Sequence, residues 1–572
     1  MRTGLVKVGG CGVVIAAALA MTAALAMTAC KKDERAATRA ALPAELARPR
    51  PAGDPATLPS PALLAHVPAD TPYVMASLVP VPAARWGQIK AAVGDRLAVA
   101  LQAAVGEGAD DEGGPGAVMA AIIAELEGKW DAAGLASLGL TATPNYVIYG
   151  LGLAPVVVRI DITDERALLA AIERVARRAQ VTLPPPTELS GRRYWRLDPD
   201  GEASVIISLA AKQLVLAIGP TAAIDSQLAL ILGSQLPSRS LGTSRGLQAA
   251  YATHGFGPHF VGYVDVRRML EEGIALVGVP SSGCRAETTA LAGRLPRVVM
   301  GYDFGASRIT GGAVLELASD LQAKVAGLRR AVPGLVPVMG DKAVLAIGVG
   351  LDLERGRLLA RDAAEAVATL GGACDLRELT SVTDDLIRGL AQPLPPVVAG
   401  IAGGAVALYD LVLGDALMPK QVDALGLLAA DKPAALLEML AQGLPIAVPA
   451  DGKLHPITVP GVQLPGELVG GIGAKALVIA MGARARAVAT TALVAPAGGT
   501  APLLAMAYDY GRVLALQAAF GRLAARLGGG DTTMADAEAS FNEGLATLYG
   551  RASFAADVTD KGLVMWGTIE LK

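Results

Sequence analysis

Hydrophobic positions along this chain switch period repeatedly, and the switches predict helices alternating with short strands. Leu168, Leu169, Ile172, Val175 and Ala176 fall on one helical face. Asp164 precedes them, where a short carboxylate can accept from the free backbone donors of a first turn. Tyr194–Leu197, Ser204–Leu209 and Leu214–Ile218 have strand character and are separated by turn signals such as Asp198-Pro199-Asp200-Gly201. Strands this close in sequence must pair antiparallel, because a parallel crossover needs a dozen or more residues. The predicted class is α+β.

Matched segments then recur in the same order, which predicts two tandem copies of one mainly antiparallel sheet-plus-helices domain. Asp70–Ala76 answers to Asp341–Ala346, Asp164–Leu169 to Asp431–Leu437, Lys212–Gly219 to Lys475–Gly482, and Asp265–Leu270 to Asp509–Leu514. The closing runs Arg297–Leu317 and Arg551–Leu571 keep a constant offset of 254 (551 − 297), bringing Asp303 onto Asp557 and Glu316 onto Glu570. The predicted copies span residues 61–319 and 320–572. Residues 30–60 are rich in Ala, Pro and charge; they cannot bury enough surface to offset ordering entropy and are predicted to form a flexible tether.

Residues 1–29 have the layout of a signal peptide: Arg2 and Lys7, then the apolar stretch Val13 to Leu25, then small residues Thr28 and Ala29 before Cys30. Met27-Thr28-Ala29-Cys30 resembles the lipobox of bacterial lipoproteins, with Met27 where leucine is usual. That resemblance implies that Cys30 is acylated and becomes the first residue of a lipid-anchored envelope protein. Lys31 and Lys32 follow it, with no aspartate of the kind that retains some lipoproteins at the inner membrane, so the outer membrane is favoured. Pro68-Ala69-Asp70-Thr71-Pro72, ahead of a strand, is similar to the opening phrase of Ala- and Gly-rich envelope lipoproteins of high-GC bacteria, a resemblance that implies no activity.

Composition narrows the function. The chain has 572 residues, more than one core normally organises, and is 52% apolar and 18% charged, so it folds. A net charge of −3 with interspersed signs offers no basic stripe to nucleic acid, and 4% aromatic residues give few stacking platforms. The most apolar stretch after the signal, Pro395 to Tyr409, is too short for a membrane span.

Chemical motifs are sparse. Once Cys11 leaves with the signal and Cys30 is acylated, Cys284 and Cys374 remain, and in an oxidising compartment they are expected to form a disulfide between the two copies. His66, His254, His259 and His455 lack metal-ligand spacing. Gly470-Gly471-Ile472-Gly473-Ala474-Lys475 has the wrong glycine spacing for a phosphate loop and reads as a turn before a strand. Asp265 with Arg268, and Asp509 with Arg512, read as helix caps. With no nucleophile motif, the expectation is a non-enzymatic binding or scaffolding protein without cofactor or metal. Its partner would be an envelope protein, with a carrier or sensor of lipophilic ligands as the alternative.

Overall fold

The computed structural model describes residue 54 and residues 58–105, 115–198, 201–277, 281–340, 343–414, 419–441, 447–458, 464–496, 501–527 and 533–572. The predicted signal, Cys30 and nearly all of the tether lie outside the described residues. Helices combine with one continuous sheet in which every described strand pair is antiparallel, as expected of the α+β class.

In the first half, β1 (Tyr73–Ala76) leads to helices α1 (Ala83–Val105) and α2 (Pro115–Leu126), then to β2 (Tyr146–Gly150) and β3 (Val156–Asp161). Helix α3 (Glu165–Arg178) precedes the meander β4 (Thr187–Leu189), β5 (Arg192–Leu197), β6 (Ala203–Ala210) and β7 (Gln213–Pro220). Next come α4 (Thr221–Leu232), α5 (Gly246–His254), β8 (Phe260–Asp265), α6 (Val266–Val277) and α7 (Ser282–Arg294). The hairpin β9 (Arg297–Phe304) and β10 (Arg308–Leu315) closes the half. The strands lie in the order β4-β5-β6-β7-β3-β2-β1-β8-β9-β10.

In the second half, β11 (Leu345–Gly350) leads to α8 (Leu353–Ala373) and α9 (Arg377–Ala391), then to β12 (Ile401–Leu413) and β13 (Pro419–Ala430). The apolar stretch flagged in the sequence thus opens β12, and among the described residues no helix is long and apolar enough to cross a membrane. After α10 (Pro433–Leu440) come β14 (Leu454–Ile457), β15 (Leu468–Ile472), β16 (Ala476–Met481) and α11 (Ala483–Val494). The half ends with β17 (Leu504–Asp509), α12 (Tyr510–Leu527), α13 (Thr533–Leu548), β18 (Tyr549–Thr559) and β19 (Gly562–Leu571). Its order is β14-β15-β16-β13-β12-β11-β17-β18-β19. β10 and β19 then pair, from Arg308↔Glu570 to Leu315↔Leu563, and join the halves into one sheet.

One face of this sheet carries both main cores. In the first half α4, α5 and the short helices Ala62–His66 and Leu241–Ser244 cover it, packing Ile224, Ile231, Leu247 and Tyr251 against Val157, Ile206, Val215 and Val261. Three of the 27 buried residues in that core are alanine. In the second half α11 and the short helix Leu335–Val338 cover the face, and 14 of 24 core residues are alanine. Arg159 is only 1% exposed in the first core, and among the described residues no carboxylate pairs with it. It donates to Tyr149 Oη at 3.2 Å, Gln213 Oε1 at 3.3 Å, and the carbonyls of Leu230 at 3.1 Å and Ile231 at 2.6 Å. Those carbonyls end α4, where the helix dipole favours a cation.

Candidate functional site

The other face of the sheet differs between the halves. Because sheet neighbours line up, residues on that face form a row across each half. The first runs Trp195, Ile207, Leu216, Val158, Ile148, Met75, Gly262, Met300 and Ala313. The second runs His455, Gly470, Ile479, Gly426, Val406, Ile347, Met506, Phe554 and Gly567. Ile148 is 5% exposed, whereas Val406, at the same place in its row, is 56% exposed.

In the first half, helix α3 lies at the β6 end of the sheet. Asp164 caps it, accepting from the backbone of Arg166 and Ala167, and Leu168 and Ala171 are buried outside the main core. It packs against β6 and against α2, where Glu125 accepts from Arg174 Nη2 at 2.7 Å and from Lys129 Nζ at 2.8 Å. The Arg174 hydrogen bond, helped by Lys129, holds the Glu125 carboxyl down to about 2.

In the second half α10 occupies this face for 8 residues, against 14 in α3. At about 1.5 Å per residue the two reach about 12 and 21 Å. Near α10, Leu436, Leu477 and Ile472 are buried without joining the alanine core. Two residues further along β16, Ile479 is 40% exposed, and a side chain built on Gly426 beside it would meet nothing within 4 Å. The sequence beyond α10 contains Gly443 and Pro445, poor helix formers, whereas none interrupts α3.

The bare face continues across the junction through Phe554, Met565 and Tyr302, all exposed. The Phe554 ring lies on Gly567, whose hypothetical Cβ would sit 2.4 Å from it, so a larger residue there would displace the ring. Tyr508 stacks on Phe554 at 6.2 Å, and burial, reinforced by Tyr510, pushes its phenol up to about 12, keeping it neutral. At its margin Arg512 Nη2 donates to Asp410 Oδ1 at 2.7 Å. The surface can bury apolar groups at roughly 1.5–3 kcal/mol for each fully covered large side chain.

The residues predicted from sequence are dispersed. Cys284 and Cys374 form a disulfide, with Sγ–Sγ 2.09 Å and Cα–Cα 4.6 Å, linking the first turn of α7 to the end of α8. Ser281 caps α7 through Cys284 N and donates to Ala373 O at 3.1 Å. A second helix contact between the halves joins α1 to α13, where Gly544 lies so close to Ala92 that a Cβ would be 2.3 Å from its carbonyl oxygen.

Histidines are separate as well. His254 pairs with Glu316 at 2.9 Å, His259 with Asp303 at 3.0 Å and His455 with Asp451 at 3.0 Å. Burial, followed by Arg159 and Arg192, lowers His66 to about 4. Among the described residues no group of three or more His, Cys, Asp or Glu is placed to hold a metal ion. Asp265 and Asp509 accept from the backbone of Arg268 and Arg512, each at 3.0 Å, as helix caps do. Gly470–Ile472 end β15, and Lys475 sits in the turn to β16, bonded to Asp431 at 3.1 Å.

Sequence reasoning missed the bare face. Its signal was present in Ala405-Val406-Ala407-Leu408 and Val478-Ile479-Ala480-Met481, where both alternating sets are apolar although a solvated set should be polar. The same pattern describes a strand covered on both sides.

No family model and no curated protein matches the chain. Two crystal structures of TP0453 are similar to it, form IV with 10% identity over 46% of this chain and 82% of that one (TM-score 0.23), and form I with 9% identity over 45% and 78% (TM-score 0.22). A likeness this slight assigns neither family nor function.

Proposed function

We propose that this chain is a lipid-anchored, non-enzymatic binding protein of the cell envelope, made of two copies of one α+β domain, and that the bare face of its second half is the binding surface. The observation that carries the reading is the contrast between Val406 and Ile148, alike in place and chemistry and opposite in exposure. Duplication is supported by the two strand orders and by register. Val299↔Val314 and Ser553↔Thr568 are neighbour pairs in the two closing hairpins, displaced by the same 254 positions (553 − 299, 568 − 314). Gly312 pairs with Trp566, which stands 254 positions on (566 − 312), so β10 and β19 meet through equivalent residues, as in an isologous dimer.

The described chain begins, apart from residue 54, at Leu58 on the side of the main core. Leu58 and Pro59 are held by Arg245 Nη2 at 2.7 Å and Gln248 Nε2 at 3.2 Å, at the helix layer on the opposite face of the sheet. A lipophilic ligand is the second reading, favoured by Met506, Met565 and Phe554, whose polarisable groups adapt to irregular apolar partners.

The test is pull-down from solubilised envelopes combined with detergent-free native mass spectrometry of the full chain and of the double variant Val406→Asp, Ile479→Asp. A captured protein or lipid that the variant loses supports the surface; capture unchanged in a folded variant contradicts it. Cys30→Ala should release the chain from the membrane fraction, since stable anchoring needs two or more acyl chains. Unchanged attachment would remove the lipid anchor from the proposal.

A further inference from the structure

We infer that the Cys284–Cys374 disulfide is a redox latch: its reduction by a dithiol frees the α8–α9 hairpin from α7 while the other helix contact between the halves holds. The inference starts from a comparison within the molecule and does not depend on the bare face. Each half inserts one pair of helices after its first strand, α1 and α2 after β1, α8 and α9 after β11. Each inserts another pair before its closing hairpin, α6 and α7 before β9, α12 and α13 before β18. Helix α1 packs on α13 of the other half, and α8 packs on α7 of the other half. The two contacts are therefore counterparts.

They are held differently. Where α1 meets α13, Val93 and Leu548 are buried in one apolar cluster, with Ala92, Phe541 and Leu545 packed against it. Where α8 meets α7, the buried residues of α7 are Cys284, Thr288 and Ala292, one per turn, and those of α8 are Ala364, Leu370 and Gly371. None of these six joins an apolar cluster among the described residues. Mostly small side chains bury little area, and hydrophobic stabilisation scales with that area. The disulfide, with the hydrogen bond from Ser281 Oγ to Ala373 O, holds this end. Helix α8, about 31 Å long for its 21 residues, is anchored separately at its start. There Asp352 N donates to Leu328 O at 2.7 Å, Arg355 Nη1 to Gly327 O at 2.9 Å, and Lys324 Nζ to Asp362 Oδ2 at 2.6 Å. Helix α9 packs along α8 and exposes Val382 and Leu386. A hairpin tied at its base and latched at its tip swings when the latch opens.

Cys284 is 1% exposed and Cys374 half-buried, so a thiolate of the dithiol attacks the Cys374 sulfur and Cys284 leaves as the thiolate. The second thiolate of the reagent then displaces Cys374. The dithiol is oxidised to its own disulfide, and the two cysteines take up two electrons and two protons. The test is amide hydrogen exchange of the full chain, read by mass spectrometry with and without dithiothreitol. Exchange in 282–294 and 353–391 should quicken about tenfold or more on reduction, with α1, α13 and the central strands β12 and β13 unchanged. The double variant Cys284→Ser, Cys374→Ser should show the same pattern without reductant. Unchanged exchange in α7, α8 and α9 overturns the inference. Equal quickening in α1, α13, β12 and β13 overturns it as well, since the bond would then be a staple of the whole fold. A variant that exchanges like the oxidised chain also contradicts it, because the reagent would be acting elsewhere.

Discussion

Ile148 and Val406 hold the same place in two rows of neighbours, on strands flanked alike, and one is buried while the other is more than half exposed. Nothing in the strands predicts this, since both residues are β-branched and both stand in apolar runs. The helices that follow β3 and β13 differ as well: α3 is long and capped by Asp164, whereas α10 is short and its preceding Asp431 is occupied by Lys475 and Arg330. The cores behind the two faces differ in the same sense, one built from large side chains around a buried arginine and the other mainly from alanine.

The largest expected effect lies in that difference between cores. Arg159→Ala removes the donor to four acceptors and leaves a cavity, and should cost about 3–5 kcal/mol in urea unfolding. Leu427→Ala should cost about 2–3 kcal/mol, since Leu427 faces Val478 as Arg159 faces Val215 and its small neighbours can close in. Equal costs would break the contrast. Next, the double variant Cys284→Ser, Cys374→Ser should lose about 2–4 kcal/mol through the loop of 90 positions, read by calorimetry, and an unchanged melting temperature would show that packing alone holds α7 to α8.

Within the rows, Ile148→Ala should cost about 2–4 kcal/mol and Val406→Ala less than about 0.5 kcal/mol. A costly Val406→Ala would mean that the face is covered. A further effect is protonic. His66 titrates at about 4 in the folded state, below its ordinary 6.5, because burial and then Arg159 and Arg192 disfavour the cation. The unfolded chain thus takes up the proton first, and stability falls as pH drops from about 6.5 to about 4, by about 1–2 kcal/mol after allowing for partial exposure. His66→Leu should flatten that limb in pH-dependent melts; an unaltered slope would place the acid sensitivity elsewhere.

Much of this architecture was legible in the chain. Closely spaced strand runs compelled antiparallel pairing, as β5, β6 and β7 display, and Asp164, Asp265 and Asp509 cap helices as their positions implied. Counting cysteines was enough to pair Cys284 with Cys374. Arg159 was illegible because a strand arginine ordinarily reads as solvent-facing, and its acceptors at Leu230 and Ile231 lie some seventy residues away. The bare face was hidden for a different reason: an apolar run in the sequence looks the same whether or not another element covers it.

The most direct test of the account is the reactivity of a thiol at position 406, measured in Val406→Cys with the native cysteine pair left oxidised and with Val382→Cys on α9, 67% exposed, as reference. In purified protein both thiols should react with a maleimide at similar rates. In envelopes, where the proposed lipid anchor would hold the chain, position 406 should be protected about tenfold or more by the proposed occupant while position 382 stays reactive. Equal labelling of both in the envelope, or slow labelling of position 406 in the purified chain, would contradict it.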